Sequence, residues 1–136
     1  MRKPPKISDS EWEVMKVLWE RAPQTANEIV DSLSKTTLWK RETIRTLVNR
    51  LVRKKAVGFE KKDRQYHYRP LAVEGDCVRA ETRSFLRRIR ASSIEPMLAA
   101  FVEEQHLTAE QIARLRRILD KKESGADREK TNKRTL

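Results

Sequence analysis

The stretch TTLWKRETIRTLVNRLVRKKAVGFEKKDRQYHYRP, residues 36–70, decides the fold. In its first half Ile44, Leu47, Val48 and Leu51 recur at i, i+3, i+4 and i+7, the apolar face of an amphipathic helix. The opposite face of that helix holds Glu42, Arg45, Thr46, Asn49 and Arg53. Such polar and charged groups can reach base edges in a major groove. In the second half Val57 and Phe59 alternate with small or charged residues, and Tyr66 and Tyr68 do the same. The charged run Lys61-Lys62-Asp63-Arg64 lies between them. A period of two on both sides of a polar turn predicts a β-hairpin. No Asn-Gly or Asp-Gly marks the turn type. A cationic helix followed by a hairpin with a cationic tip is the pattern of a winged helix-turn-helix. The plainer alternative is a helix and hairpin with ordinary solvated charges.

Charge separates these alternatives. The 136-residue chain has a formal net charge of +11. Residues 1–70 carry 17 Lys and Arg against 9 Asp and Glu, net +8, whereas residues 71–136 carry 14 against 11, net +3. The excess sits with the predicted helix and hairpin, which points to a polyanion, with nucleic acid the default. An anionic membrane surface is the rival, but no apolar run approaches the roughly 20 residues of a spanning helix. The N-terminus MRKPPKIS has no apolar core of a signal peptide. A lone cysteine, Cys77, excludes an internal disulfide framework. These features suit a cytoplasmic protein without membrane insertion.

Upstream, Ser8 and Glu11 form a capping box, and Ile7 and Trp12 sit at the positions of a hydrophobic staple. Trp12, Met15 and Trp19, widened by Leu18, predict a helix over about 9–21 with both tryptophans in the core. Pro23 stops it. Thr25 and Glu28 form a second capping box, opening a short helix that ends near residue 34 with Ala26, Ile29, Val30 and Leu33 on one face. This is the positioning helix, and its N-terminal amides could meet a phosphate. The reading helix is expected to begin between residues 40 and 42, capped by Thr36 or Thr37 if by anything.

Downstream, Val78, Phe85, Leu86 and Ile89 predict a helix over about 73–90. Ile94, Met97, Leu98, Phe101 and Val102 predict another over about 93–104. Thr108 and Gln111 form a capping box, after which Ile112, Leu115, Ile118 and Leu119 carry a third helix to about 122. Three short helices cannot bury such stripes alone. Pairing with an identical copy about a twofold axis would bury them, and folding back on the winged domain is the alternative. The expected dimer contacts are Ile94, Met97, Leu98, Phe101, Ile112, Leu115, Ile118 and Leu119. Residues 123–136 lack an apolar stripe and are expected to be disordered.

The segments ISDSEWEVMKVLW, TANEIV, TIRTLVNRLVRKK and YHYRP resemble the penicillinase-repressor (BlaI/MecI-type) transcriptional regulators, from about residue 7 to 122. The resemblance implies an N-terminal winged-helix domain and a C-terminal helical dimerisation region. It also implies binding to operators with dyad symmetry and repression of β-lactam-resistance or related genes. Thr43, Arg45 and Thr46 match the motif's reading-helix positions, and Tyr66, Tyr68 and Pro70 match the return strand of the wing. Regulators of this kind are inactivated when a membrane-bound sensor metalloprotease triggers a cut before a phenylalanine in the dimerisation region. The matching bond here is Ala100–Phe101, with alanine where asparagine is common.

The fold expected is therefore mostly α with a small β-hairpin. A winged helix-turn-helix domain over 1–71 precedes a helical dimerisation region over 72–122. The candidate DNA-binding residues are Lys40, Arg41, Glu42, Thr43, Arg45, Thr46, Asn49, Arg50, Lys61, Lys62 and Arg64. Arg45, Thr46 and Asn49 are placed toward base edges, and Lys40, Arg41 and Thr43 toward the backbone. His67, His106 and Cys77 form no ligand-like cluster, and no Gly-rich phosphate loop or Ser-His-Asp pattern is present. No metal, no cofactor and no enzymatic activity are expected. The rival function is an interaction module whose basic face meets an acidic protein or structured RNA. RNA readers usually present stacking aromatics, and here aromatics are 6% of the chain and mostly core-periodic.

Overall fold

The computed structural model describes residues 3–134 of the chain, with side chains described for 3–125. Helix α1 (Asp9–Glu20) begins at the predicted capping box. The Glu11 amide donates to Ser8 Oγ at 3.2 Å and the Ser8 amide to Glu11 Oε1 at 2.9 Å. Its buried face is Glu11, Val14, Met15 and Leu18. The tryptophans expected in the core flank it instead, half-buried, with their rings 5.4 Å apart in an edge arrangement. An indole N–H explains the edge position, because it needs a polar partner. That of Trp19 donates to the Ala72 carbonyl at 2.9 Å.

The chain then adds a strand that the sequence did not suggest, β1 (Gln24–Thr25). Gln24 is 1% exposed, and its amide nitrogen donates to the Val17 carbonyl at 3.0 Å and to that of Arg21, binding the strand to the end of α1. Thr25 caps α2 (Ala26–Ser34) in the second predicted box, with Glu28 as its partner. Neither Thr36 nor Thr37 caps the next helix. The Thr37 hydroxyl and amide both return to the Leu33 carbonyl, closing α2 from behind.

Helix α3 (Arg41–Arg53) starts at Lys40 without a side-chain cap. Ile44, Leu47, Val48 and Leu51 are each 5% exposed or less, as their spacing predicts. The helix ends in a Schellman motif. The Lys55 amide bonds to the Val52 carbonyl and the Ala56 amide to that of Leu51, with Lys55 at φ 64°. Buried Ala56 and Leu51 supply the apolar contact that accompanies such ends.

The hairpin consists of β2 (Val57–Lys62) and β3 (Gln65–Pro70), and β3 also pairs with β1, giving an antiparallel sheet in the order β1-β3-β2. Lys62 faces Gln65, so the loop is only Asp63 and Arg64, at φ 53° and 66°. Left-handed backbone at both central residues is a type I′ turn, whose twist matches that of the strands. The register puts Phe59, Lys61, Tyr66 and Tyr68 on one face and Glu60, Lys62, His67 and Arg69 on the other.

Helix α4 (Glu74–Arg88) follows, and the first compact unit ends with it. The sequence put a boundary at 71/72. The structure joins α4 to the winged unit because buried Cys77 and half-buried Ala72 belong to its core, beside Ile7. The second unit begins at Ile89 and contains a 3-10 turn, α5 (Ile94–Glu104) and α6 (Ala109–Arg134). Thr108 and Gln111 form the predicted capping box of α6. The disorder expected from residue 123 gives way to helix as far as Arg134. Lys, Arg, Glu and Ala are intrinsic helix formers, so a helix already nucleated can propagate without an apolar stripe. Positions 135 and 136 lie outside the described residues.

One interaction ties the start of α1 to the end of α3. Lys54 Nζ pairs with Glu11 Oε1 and also donates to the Lys6 carbonyl at 3.0 Å. Glu11 is 1% exposed, and its Oε2 has no hydrogen-bond partner among the described residues. Burial pushes the Glu11 carboxyl up, but the hydrogen bonds from Lys54 and Ser8 outweigh it, so its pKa lies below the ordinary value. A depressed folded-state pKa stabilises the fold above the unfolded value, ~4.3, and that stabilisation is lost as pH falls through the folded value. Denaturant unfolding should therefore show Glu11→Gln destabilised at neutral pH, with the gap to wild type closing on acidification. A gap independent of pH would rule out the carboxylate as its source.

Candidate nucleic-acid interface

The solvent face of α3 carries every reading-helix residue singled out above. Arg41, Glu42, Thr43, Arg45, Thr46, Asn49 and Arg50 are all exposed, and so is Lys40 at its cap. One turn of helix separates Arg41 from Arg45, and another separates Arg45 from Asn49, so the three share a stripe. Thr46 is constrained, because its hydroxyl donates to the Glu42 carbonyl at 2.9 Å. That leaves its methyl group and the oxygen lone pairs for a partner.

The structure brings Arg45 and Asn49 together with residues from two other elements. A cleft of about 360 Å³ is lined by Thr25, Ala26 and Asn27 from the start of α2, by Arg45, Val48 and Asn49, and by Gln65, Tyr66 and Tyr68 of β3. No carboxylate lines it. The Asn27 side-chain oxygen accepts from Arg41 Nη1 at 2.8 Å and from Arg45 Nη2 at 3.4 Å. The Tyr68 phenol is pushed up by burial and by neighbouring Tyr66, while the Arg45 charge pulls the other way. Asn27, Gln65 and Tyr66 were not among the sequence candidates for contact. The only signal for Asn27 was its place one residue into α2, and the crossing of α2 with α3 gives it meaning.

Lys61, Lys62 and Arg64 are exposed at the far end of the hairpin, none of them on the cleft wall. The hairpin register turns Lys61 and Lys62 to opposite faces. On one face Phe59 and Tyr66 stack edge to face with centroids 5.0 Å apart, and Lys61 Nζ lies 5.9 Å from the Tyr66 ring centre. That cation–π contact holds Lys61 along the strand. Phe59 and Tyr66 remain 49% and 47% exposed, an apolar shoulder beside the cationic tip.

Among the described residues no three His, Cys, Asp or Glu side chains lie close enough together to hold an ion. Cys77 is buried, and burial followed by neighbouring Asp76 raises its thiol pKa. A protonated, enclosed thiol is a poor nucleophile and a poor ligand. No helix of the described residues is long and apolar enough to cross a membrane.

Comparison with known proteins places this geometry. The family model described as Penicillinase repressor matches residues 7–121. The chain is 38% identical over 120 residues to the penicillinase repressor of Bacillus licheniformis, covering 88% of this chain and 94% of that one. It is 32% identical over 116 residues to the methicillin resistance regulatory protein MecI of Staphylococcus aureus strain N315, covering 85% and 94%. Among solved structures, monomeric Bacillus licheniformis BlaI in complex with the blaP half-operator matches with 43% identity and a TM-score of 0.50. That match covers 56% of this chain and 93% of the solved one.

Proposed function

The chain belongs to the penicillinase-repressor family, and we propose that it is a dimeric DNA-binding transcriptional repressor that reads an operator of dyad symmetry. The carrying observation is the exposed stripe Arg41, Arg45, Asn49 on α3, held against the start of α2 and flanked by a cationic wing. An exposed helix of this kind fits a major groove, and a basic hairpin beside it fits the adjoining backbone. Arg45, Thr46 and Asn49 take the base edges. Lys40, Arg41, Thr43 and Arg50 lie toward the phosphates, with Glu42 on the same exposed face. Repression acts in the cytoplasm and needs no cofactor and no catalytic step.

Two winged domains then sit on half-sites about one helical turn, or a multiple of it, apart. The second unit supports the dimer, since its apolar stripes are uncovered. Leu98, Phe101, Ile112, Leu115, Ile118 and Leu119 are between 38% and 63% exposed, and Ile94 and Met97 are partly so. The relatives' names support genes of β-lactam resistance as targets. A membrane-bound sensor metalloprotease then releases the repressor through a cut at Ala100–Phe101. Both residues are exposed on α5, although a helix must open locally before a protease can bind it.

Footprinting on the DNA upstream of the chain's own gene tests the reading. Two protected half-sites related by a dyad are expected, and equal protection of all sequences would overturn it. The wing gives a second expectation. Replacing Lys61 and Lys62 with Ala should weaken binding to every duplex alike. It should also flatten the salt dependence by roughly one unit for each phosphate no longer neutralised. An effect confined to one base pair would place these lysines in a groove instead.

A further inference from the structure

We infer that Asn27 is a specificity-setting positioning residue, which holds the Arg45 guanidinium in its base-reading orientation by sharing one carbonyl oxygen between Arg41 and Arg45. The inference rests on the reading of α3 as the DNA-reading helix. Arg41 and Arg45 are four residues apart on one helix, where like charges repel. Asn27 lies on a different helix, yet its Oδ1 accepts from both, at 2.8 Å from Arg41 Nη1 and 3.4 Å from Arg45 Nη2. An amide oxygen has two lone pairs, so one atom can satisfy both donors.

The chemistry of this residue type matters. A carboxylate at position 27 would hold both guanidiniums more tightly, but it would cancel positive charge where phosphates must dock. A neutral amide fixes geometry and leaves both charges in place. It occupies one nitrogen of each guanidinium, so the remaining N–H groups of Arg45 stay free for a base edge. Arginine loses much rotamer freedom on ordering, and ordering it before DNA arrives removes that loss from the binding step. Preordering helps the duplex whose base edge matches the held orientation. It does little for a duplex met only through phosphates.

The placement of Asn27 is itself fixed. Thr25 caps α2 and pairs as β1 with His67, so the backbone two residues before Asn27 is anchored to the wing strand. Asn27 is exposed and lies outside the core, so its replacement leaves the fold intact.

The test uses the full-length protein with two duplexes. One is the tightest binder selected by the wild type from a random-sequence pool, and the other is a scramble of it. Asn27→Ala should lose roughly 5- to 10-fold on the selected duplex and little on the scramble, the lower part of what one bidentate base contact is worth. Asn27→Asp should weaken both duplexes alike while keeping their ratio, because it preserves the acceptor and adds a charge. In an Arg45→Ala background Asn27→Ala should change the ratio no further. Equal losses on both duplexes for Asn27→Ala would make Asn27 a phosphate contact, and no loss on either would make it a bystander. Either result overturns the inference alone. A wild type that selects no sequence overturns the repressor reading together with it.

Discussion

A chain truncated after Ala100 is expected to be monomeric and to bind a two-half-site operator roughly 10²–10⁴-fold more weakly than the full chain. The truncation removes Phe101, Val102 and all of α6, with Ile112, Leu115, Ile118 and Leu119. It leaves the winged unit, which ends at Arg88, untouched. Each winged domain should still recognise one half-site. What disappears is the linkage that makes the second binding event intramolecular. Sedimentation and operator titration check both parts. The charge substitutions Leu98→Asp and Leu115→Asp together should reproduce the effect in the intact chain, because each would place an unpaired charge in an apolar interface. A truncated fragment that stays dimeric and binds as tightly would exclude cleavage at Ala100–Phe101 as the means of release.

The second large effect is expected at Arg45. Arg45→Ala should cost ~1–3 kcal/mol on the operator and relax preference at one base position, with a much smaller loss on random duplex. Arg45 is the residue in which three observations meet. It lies on the exposed stripe of α3, it lines the cleft beside β3, and it is held by Asn27. Arg45→Lys should rescue little, since an ammonium cannot present the planar fork that pairs with a guanine edge. Titrations against a panel of single-base operator variants would locate the affected position. Equal losses across the panel and on random DNA would move Arg45 to the phosphate backbone.

Much of the fold beneath the candidate interface was legible from the residues because its determinants are local. The three capping boxes, at Ser8, Thr25 and Thr108, each encode a reciprocal pair of hydrogen bonds within four residues. Pattern and structure agree there. The stripe Ile44, Leu47, Val48, Leu51 fixes which face of α3 is solvated, and so which side chains can reach DNA. The alternation around Phe59 and Tyr68 likewise fixes the hairpin, since they stand directly opposite each other in its register.

The features that escaped the sequence are those set by distant partners. Glu11 reads only as half of a capping box, and nothing local announces its pairing with Lys54, 43 positions away. β1 is two residues long, too short for any periodicity, and exists only because β3 offers an edge. Asn27 has no meaning without the angle between α2 and α3. Trp12 and Trp19 show the converse. Large apolar rings at helical spacing suggest the middle of a core, but both lie at its rim, where the Trp19 indole nitrogen reaches the Ala72 carbonyl, and the smaller Val14 takes the interior.

The wing tip carries a backbone cost that the proposed recognition role would account for. Asp63 tolerates the left-handed backbone reasonably well, but Arg64 does not, and a residue of its kind there costs of the order of 1 kcal/mol relative to glycine. The sequence thus keeps a guanidinium at the outermost point of the hairpin, at the expense of a tighter turn. An engineer seeking thermal robustness would install Asn-Gly at these two positions and gain it. If the wing grips DNA as proposed, the same repair would remove a positive charge from its tip, so in this wing mechanical ease and molecular grip are competing goods.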